Sequence, residues 1–189
     1  DKLIAICSKA YKEQGRLKNN SAVVTVMTNI GFSQFAKEND INIITANVGD
    51  RYVLEKMLEG GYNIGGEQSG HIIFLDEATT GDGQLSGVKV LEVLQNSGMK
   101  MSELAGIMTS YPQVMVNVKV TPQVKAEWKS YDDVKEIISL HEKTLSDNGR
   151  ILVRESGTEP LVRVMLEGKD TEQITAMANE IADKIREHI

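Results

Sequence analysis

Two short, nearly continuous apolar runs, Ala22-Val23-Val24-Thr25-Val26-Met27 and Ile41 to Ala46, narrow the folds open to this chain more than any other feature. A strand with one wet face alternates apolar and polar side chains, whereas an unbroken run of this length suits a strand covered on both faces. Helical patterns flank both runs. Residues 2–14 read as a helix that stops at Gly15, and Phe32, Phe35 and Ala36 mark a second. Asp50 is placed to cap a third helix through Val53, Leu54, Met57 and Leu58, which ends at Gly60-Gly61. Strand signals follow at Tyr62 to Gly65 and Ile72 to Leu75, then a helix over about 84–96 with Val88, Leu91 and Leu94 on one side. Such alternation predicts an α/β domain, a mixed sheet with helices on both faces.

Beyond residue 113 the pattern changes. Val114, Val116, Val118 and Val120 alternate with Met115, Asn117 and Lys119, the period of a strand with one wet face. A helix over 131–146 carries Val134, Ile137, Ile138, His141 and Leu145, and strands follow at about 150–154 and 161–167. The last helix, about 171–187, sets Ile174, Ala178, Ile181 and Ile185 on one face. This βαββα order predicts a smaller α+β domain with helices on one side of an antiparallel sheet. The Tyr111-Pro112 break separates domains at 1–109 and 113–189, with a hinge near Ser110 to Gln113.

Charge excludes some functions. With 21 Lys and Arg against 27 Asp and Glu the net charge is -6, and no basic stripe offsets it, which disfavours nucleic acid and anionic membranes as partners. No apolar run reaches the roughly 18 residues that a membrane helix needs. Cys7, the single cysteine, reads as a buried, inert thiol in a cytosolic protein. The chain begins at Asp1, inside a helical pattern, and so reads as truncated or processed.

Four stretches carry candidate chemistry. In Arg154-Glu155-Ser156-Gly157-Thr158-Glu159-Pro160, continuing to Arg163, hydroxyls, a glycine and two guanidinium groups fall on one predicted hairpin. These are the parts that hold an oxyanion, and burying the two arginines together without one would be costly. Spacing alone leaves a second reading, a polar hairpin with solvated arginines. Gly65-Gly66-Glu67-Gln68-Ser69-Gly70-His71 follows a strand, where α/β sheets bind ligands. Its glycines would admit a flat sugar ring, and Glu67 and Ser69 suit vicinal hydroxyls. A glycine-rich turn with a capping Glu is the other reading. In Val48 to Tyr52, Arg51 either reaches an anion or stands exposed behind a capping Asp50. In Thr80 to Gly83, Asp82 reads as a helix cap rather than a metal ligand. His141 reads as packed in its helix, while His188 and the lone Trp128 suggest no role.

The first two of these stretches resemble the α-D-phosphohexomutase family, and glutamine at Gln68 is similar to its phosphoglucosamine mutase branch rather than to its phosphomannomutase/phosphoglucomutase relatives. The resemblance spans essentially the whole chain and implies the family's third domain, followed by its TBP-like fourth. It implies that Arg154, Ser156, Gly157 and Thr158, helped by Arg163, hold the substrate phosphate that is not being transferred. Glu155 departs from the family pattern by replacing proline, a charge that lowers affinity unless its side chain points away. Glu67, Ser69 and Gly70 would contact the sugar, Arg51 the phosphate or bisphosphate, and His71 would position or protonate the reacting end.

For the complete enzyme the resemblance implies interconversion of glucosamine 6-phosphate and glucosamine 1-phosphate, on the route to UDP-N-acetylglucosamine and peptidoglycan precursors. The reaction would use a phosphoserine, Mg2+ and a glucosamine 1,6-bisphosphate intermediate. Neither the family's Ser-His-Asn-Pro motif nor its Asp-Gly-Asp-x-Asp-Arg motif occurs here. The fragment alone is therefore expected to bind without turning over, with the missing N-terminal domains as its partners. A homodimer, a hexose phosphate substrate and a self-standing binding module stay open as alternatives.

Overall fold

Why the first apolar run forms a doubly covered strand is plain in the computed structural model, which describes residues 1–189. Ser21–Thr25 (β1) is buried at every position. Its neighbours Val23 and Val24 point to opposite faces and enter separate hydrophobic clusters. Around β1 the unit Asp1–Ser110 builds Lys2–Glu13 (α1), Ile30–Glu38 (α2), Asn42–Ala46 (β2), Asp50–Gly60 (α3), Ile64–Gly66 (β3), Ile72–Phe74 (β4), Gly83–Ser97 (α4) and Met101–Ala105 (α5). The sheet runs β2-β1-β3-β4, with β2 and β3 parallel to β1 and β4 antiparallel to β3. Ile4, Tyr11, Phe32, Phe35 and Val90 pack with Val24 and Phe74 on one face. Val53 and Met57 of α3 pack on Val23, Ala46 and Ile73 on the other.

Two expectations fail in this unit. The second apolar run is not covered on both faces: β2 is an edge strand, and of its five residues only Ala46 is buried. The side of α4 bearing Val88 and Leu91 is not the packed one either, since both are 61% exposed. The helix instead buries Ser86 and Val90, packs Leu85, and leaves the Lys89 side chain only 12% exposed, its ammonium near the Tyr11 and Phe74 rings and 2.6 Å from Glu77. A packed lysine stem is invisible to a hydropathy pattern.

The unit Tyr111–Ile189 contains Gln113–Lys119 (β5), Pro122–Glu127 (α6), a 3-10 turn at Trp128–Ser130, Asp132–Leu145 (α7), Gly149–Glu155 (β6), Leu161–Gly168 (β7) and Thr171–Arg186 (α8). The sheet is antiparallel, in the order β5-β7-β6. Val162, Val164 and Leu166 of central β7 are fully buried with Val134, Ile174, Ile181 and Ile185 of the helices. Because side chains alternate, Leu161, Arg163, Met165 and Glu167 fall on the face away from those helices. His188, which the sequence left without a role, stacks on Tyr131 at 3.9 Å, its Nε2 lying 3.0 Å from Asp133 Oδ1. No helix is long and apolar enough to cross a membrane.

Candidate functional site

The predicted hairpin exists, and its register pairs Arg154 of β6 directly with Arg163 of β7, with Asn117 of β5 on the far side of Arg163. Directly opposed residues leave the same face with their Cβ atoms about 5 Å apart, so the two arginine side chains start out as neighbours. Burial and then the charge of Arg163 lower the pKa of Arg154 from its ordinary value. Arg163 Nη2 meets Glu159 Oε2 at 2.7 Å, and its buried Nε has no partner. The cost of two arginines side by side is thus partly met by the chain itself, a compensation the sequence reading did not foresee.

Between the strands the backbone closes tightly. Ser156 N–H donates to Leu161 O at 2.9 Å, Glu159 N–H to Ser156 Oγ at 3.2 Å, and Leu161 N–H to Glu159 O at 2.8 Å. The N–H groups of Gly157 and Thr158 take no part in these bonds and stay free at the tip, as an anion nest requires. The φ of Gly157 is ordinary, and a Cβ there would meet nothing within 4 Å. The fold does not need that glycine. Its backbone is simply bare.

From outside, the segment after β5 grips the loop. Val120 N–H donates to Pro160 O at 3.0 Å, Lys125 Nζ to Glu159 O at 2.8 Å, and Trp128 Nε1 to Glu155 Oε1 at 2.8 Å. Lys129 Nζ lies 3.0 Å from the same carboxylate oxygen. Glu155 is therefore bound on the side of α6 and the 3-10 turn. Burial raises its pKa, but hydrogen bonds from its own backbone, Lys129 and Trp128 leave it below the usual value. Lys125, Trp128 and Lys129 were missed as site residues. A buried indole needs an acceptor, and asking for one would have pointed to an unpaired glutamate.

In the first unit, the Gly65 to His71 segment leaves the carboxyl end of β3 beside β1. Strand order 2-1-3, with α2 and α3 on opposite faces, makes this the topological switch point where such sheets bind ligands. Glu67 N–H donates to His71 O at 2.9 Å, and Gly70 turns the loop with a φ of 106°. Glu67, only 9% exposed, accepts from Gly49 N–H at 2.8 Å through Oε1. That bond ties the sugar-loop candidate to the turn bearing Arg51, so two of the predicted stretches meet. Ser69 Oγ lies 3.5 Å from His71 Nδ1, and both side chains are exposed. Arg51 is exposed.

Three local expectations change or hold here. Gly65 and Gly66 do not leave room for a sugar ring: both are buried in β3. A Cβ on Gly65 would fall 2.6 Å from Met57 Sδ, and one on Gly66 would fall 2.5 Å from His71 O. Core packing demands these glycines. Asp50 is not the cap of α3, because Gly49 holds that position with φ 128° while Asp50 Oδ1 accepts from Arg51 N–H at 2.8 Å. Asp82 does cap α4, accepting from Gln84 and Leu85 N–H at 2.9 and 3.0 Å.

No three His, Cys, Asp or Glu side chains cluster as a metal site would require. Cys7 is buried, and that burial pushes its thiol up to about 12. His141 packs in its helix, with Nε2 3.0 Å from Glu180 Oε2 but without hydrogen-bond alignment.

Comparison with known proteins adds a family to this geometry. Residues 1–111 match the family model for phosphoglucomutase/phosphomannomutase, alpha/beta/alpha domain III, and residues 115–184 match that for the phosphoglucomutase/phosphomannomutase C-terminal domain. A phosphoglucosamine mutase from Caldanaerobacter subterraneus subsp. tengcongensis is 52% identical over 98% of this chain, which spans 41% of that relative's length. Among solved structures, the N-acetylphosphoglucosamine mutase of Aspergillus fumigatus superposes with a TM-score of 0.77 at 20% identity, covering 99% of this chain and 43% of its own. The same fungal enzyme in complex with GlcNAc-6P and magnesium gives 0.71 at 19% identity, covering 98% and 43%. These structural likenesses speak to the fold.

Proposed function

The chain belongs to the phosphoglucomutase/phosphomannomutase family, and we propose that it is the ligand-holding C-terminal part of a phosphoglucosamine mutase, which interconverts glucosamine 6-phosphate and glucosamine 1-phosphate. One observation carries the reading: Arg154 and Arg163 oppose each other across β6 and β7, next to the free amides of Gly157 and Thr158. Opposed like charges weaken a sheet, while a phosphate dianion between them makes two charge-assisted bonds. The hexosamine preference is supported by the name of the 52% identical relative and by Gln68 in the sugar loop.

In this reading the second unit grips whichever phosphate is not reacting, through Arg154, Arg163, the amides of Gly157 and Thr158, and the hydroxyls of Ser156 and Thr158. The first unit meets the sugar. Glu67 has one carboxylate oxygen left after its bond to Gly49 and, with Ser69, accepts and donates to ring hydroxyls. Gly70 turns the loop toward them, Arg51 adds a cation, and His71 positions the reacting end. Serving two phosphates in turn needs a ligand that reorients as a bisphosphate, and a hinge near Ser110 to Gln113 suits the exchange.

The proposal extends to a cytoplasmic phosphoprotein that feeds UDP-N-acetylglucosamine and peptidoglycan synthesis. Magnesium would neutralise charge on the transferring phosphoryl group in the complete enzyme. This chain's residues do not fit such a site: no acidic cluster forms, and Asp82 is engaged at the start of α4. The phosphoserine motif is likewise absent from the sequence.

Calorimetric titration with inorganic phosphate tests the grip. Replacing Arg154 and Arg163 by Ala should together cost about 3–6 kcal/mol of binding, on the scale of hydrogen bonds to charged groups; unchanged titrations would refute it. The chain supplied with glucosamine 6-phosphate, magnesium and bisphosphate should form no glucosamine 1-phosphate, and turnover would overturn the division of labour proposed here. In the full-length protein, faster reaction of glucose or mannose phosphates than of the hexosamine phosphate would refute the substrate assignment.

A further inference from the structure

The phosphate grip contains an anion of its own. Glu159 Oε2 sits 2.7 Å from Arg163 Nη2, while Arg154, directly across the sheet, has no carboxylate partner. The other nearby carboxylate, Glu155, is turned away and held by Trp128 and Lys129. The loop's two acidic residues are thus treated oppositely, one fastened outside the site and one left on a guanidinium that faces it. Moreover, Arg163 Nε is buried without a partner, so Glu159 satisfies only part of the fork. About half of the Glu159 side chain is exposed, so little packing opposes its leaving Arg163.

We propose that Glu159 is an internal competitor for the bound phosphate: it pairs with Arg163 when the loop is empty, yields that pairing when an oxyanion arrives, and returns to help expel it. The inference rests on the reading of this loop as a phosphate grip. Its physical content is an exchange of one ion pair for another at the same guanidinium. An arriving dianion must either displace the carboxylate or sit beside it, and both weaken binding relative to an uncharged side chain. A grip that must release its ligand between two half-reactions benefits from such a counterweight, because retention that is too tight would stall the exchange.

The opposite role is easy to state. If Glu159 instead serves to orient Arg163 for the ligand, its removal weakens binding. The two roles predict opposite signs, and damage to the fold can only mimic the second.

The test is titration of the chain with inorganic phosphate in three forms, wild type, Glu159→Gln and Arg154→Ala. Glu159→Gln should bind about twofold to fivefold more tightly, the scale of a partly exposed ion pair, with the gain shrinking as salt is raised. Arg154→Ala should bind at least about tenfold more weakly. Equal or weaker binding by Glu159→Gln, with Arg154→Ala still impaired, overturns the competitor role and leaves the phosphate grip standing. Binding unaffected by Arg154→Ala, or no uptake by any of the three forms, overturns both.

Discussion

Trp128 donates its indole N–H to Glu155 Oε1 at 2.8 Å, and through that bond the buried core of the second unit sets the direction of the residue next to Arg154. Glu155 sits at the end of β6, directly after Arg154. A carboxylate there could have faced the anion site. The indole and the Lys129 ammonium, 3.0 Å away, hold it on the opposite side instead.

Trp128→Phe keeps most of the packing but removes the donor. The variant should lose about 1.5–3 kcal/mol of stability in urea unfolding, the cost of one hydrogen bond to a charged group. Its phosphate affinity should also fall, because the freed carboxylate can swing toward Arg154. Full retention of affinity by the variant would show that the bond does not protect the site.

Asn63 ties the chain entering β1 to the turn after β4. Its Nδ2 reaches Asp76 Oδ2 at 2.7 Å and Arg16 O at 3.0 Å, while Lys18 N–H donates to its Oδ1 at 3.1 Å and Lys18 Nζ pairs with Asp76. The hydrogen bond from Asn63, then that from Lys18, hold the Asp76 carboxyl below the usual carboxylate value. A depressed folded-state pKa contributes stability above the unfolded value, and the contribution is lost as pH falls through the folded one. Asp76→Asn should therefore be less stable than wild type at neutral pH, and the gap should close below about pH 4. Urea unfolding at both pH values checks this; a gap independent of pH would rule out the charge as its source.

The order of elements was legible because hydrophobic period alone separates the doubly covered β1 from the half-wet β5. What failed was the choice of face. Lys89 supplies buried stem in α4 where the pattern favoured Val88 and Leu91, and β2 looks like β1 in sequence although nothing flanks its outer edge. At the candidate sites, residue types pointed to Arg154 and Arg163, but their register, the anchoring of Glu155 by Trp128 and the bond from Gly49 to Glu67 join positions far apart in sequence. Only the folded chain brings those together.

Cys7 should be silent in the native protein. Burial lifts its thiol to about 12, so the thiolate fraction at pH 8 is about one in ten thousand, and the sulfur lies inside the first unit's core. Ellman's reagent should label it only as fast as that unit opens, with the rate rising with urea. Prompt stoichiometric labelling without denaturant would contradict the packing around α1.

Two glycines separate what packing requires from what a ligand requires. At Gly65 a Cβ would lie 2.6 Å from Met57 Sδ, 2.9 Å from Val53 Cγ1 and 3.1 Å from Val23 Cβ, all within the core beneath α3. Gly65→Ala should thus cost about 1–3 kcal/mol by overpacking, whether or not any sugar is present. Part of that loss should be recovered on shortening Met57 to Ala, since the two positions then share one space. At Gly157 the φ is ordinary and a Cβ meets nothing within 4 Å, so Gly157→Ala should leave stability within about 0.5 kcal/mol of wild type. The same methyl would shield the amides that the proposed grip presents to phosphate, and affinity should fall. A Gly157→Ala chain that is as stable as wild type and binds phosphate equally well would remove the loop tip from the site, because its bare backbone is then used by neither fold nor ligand.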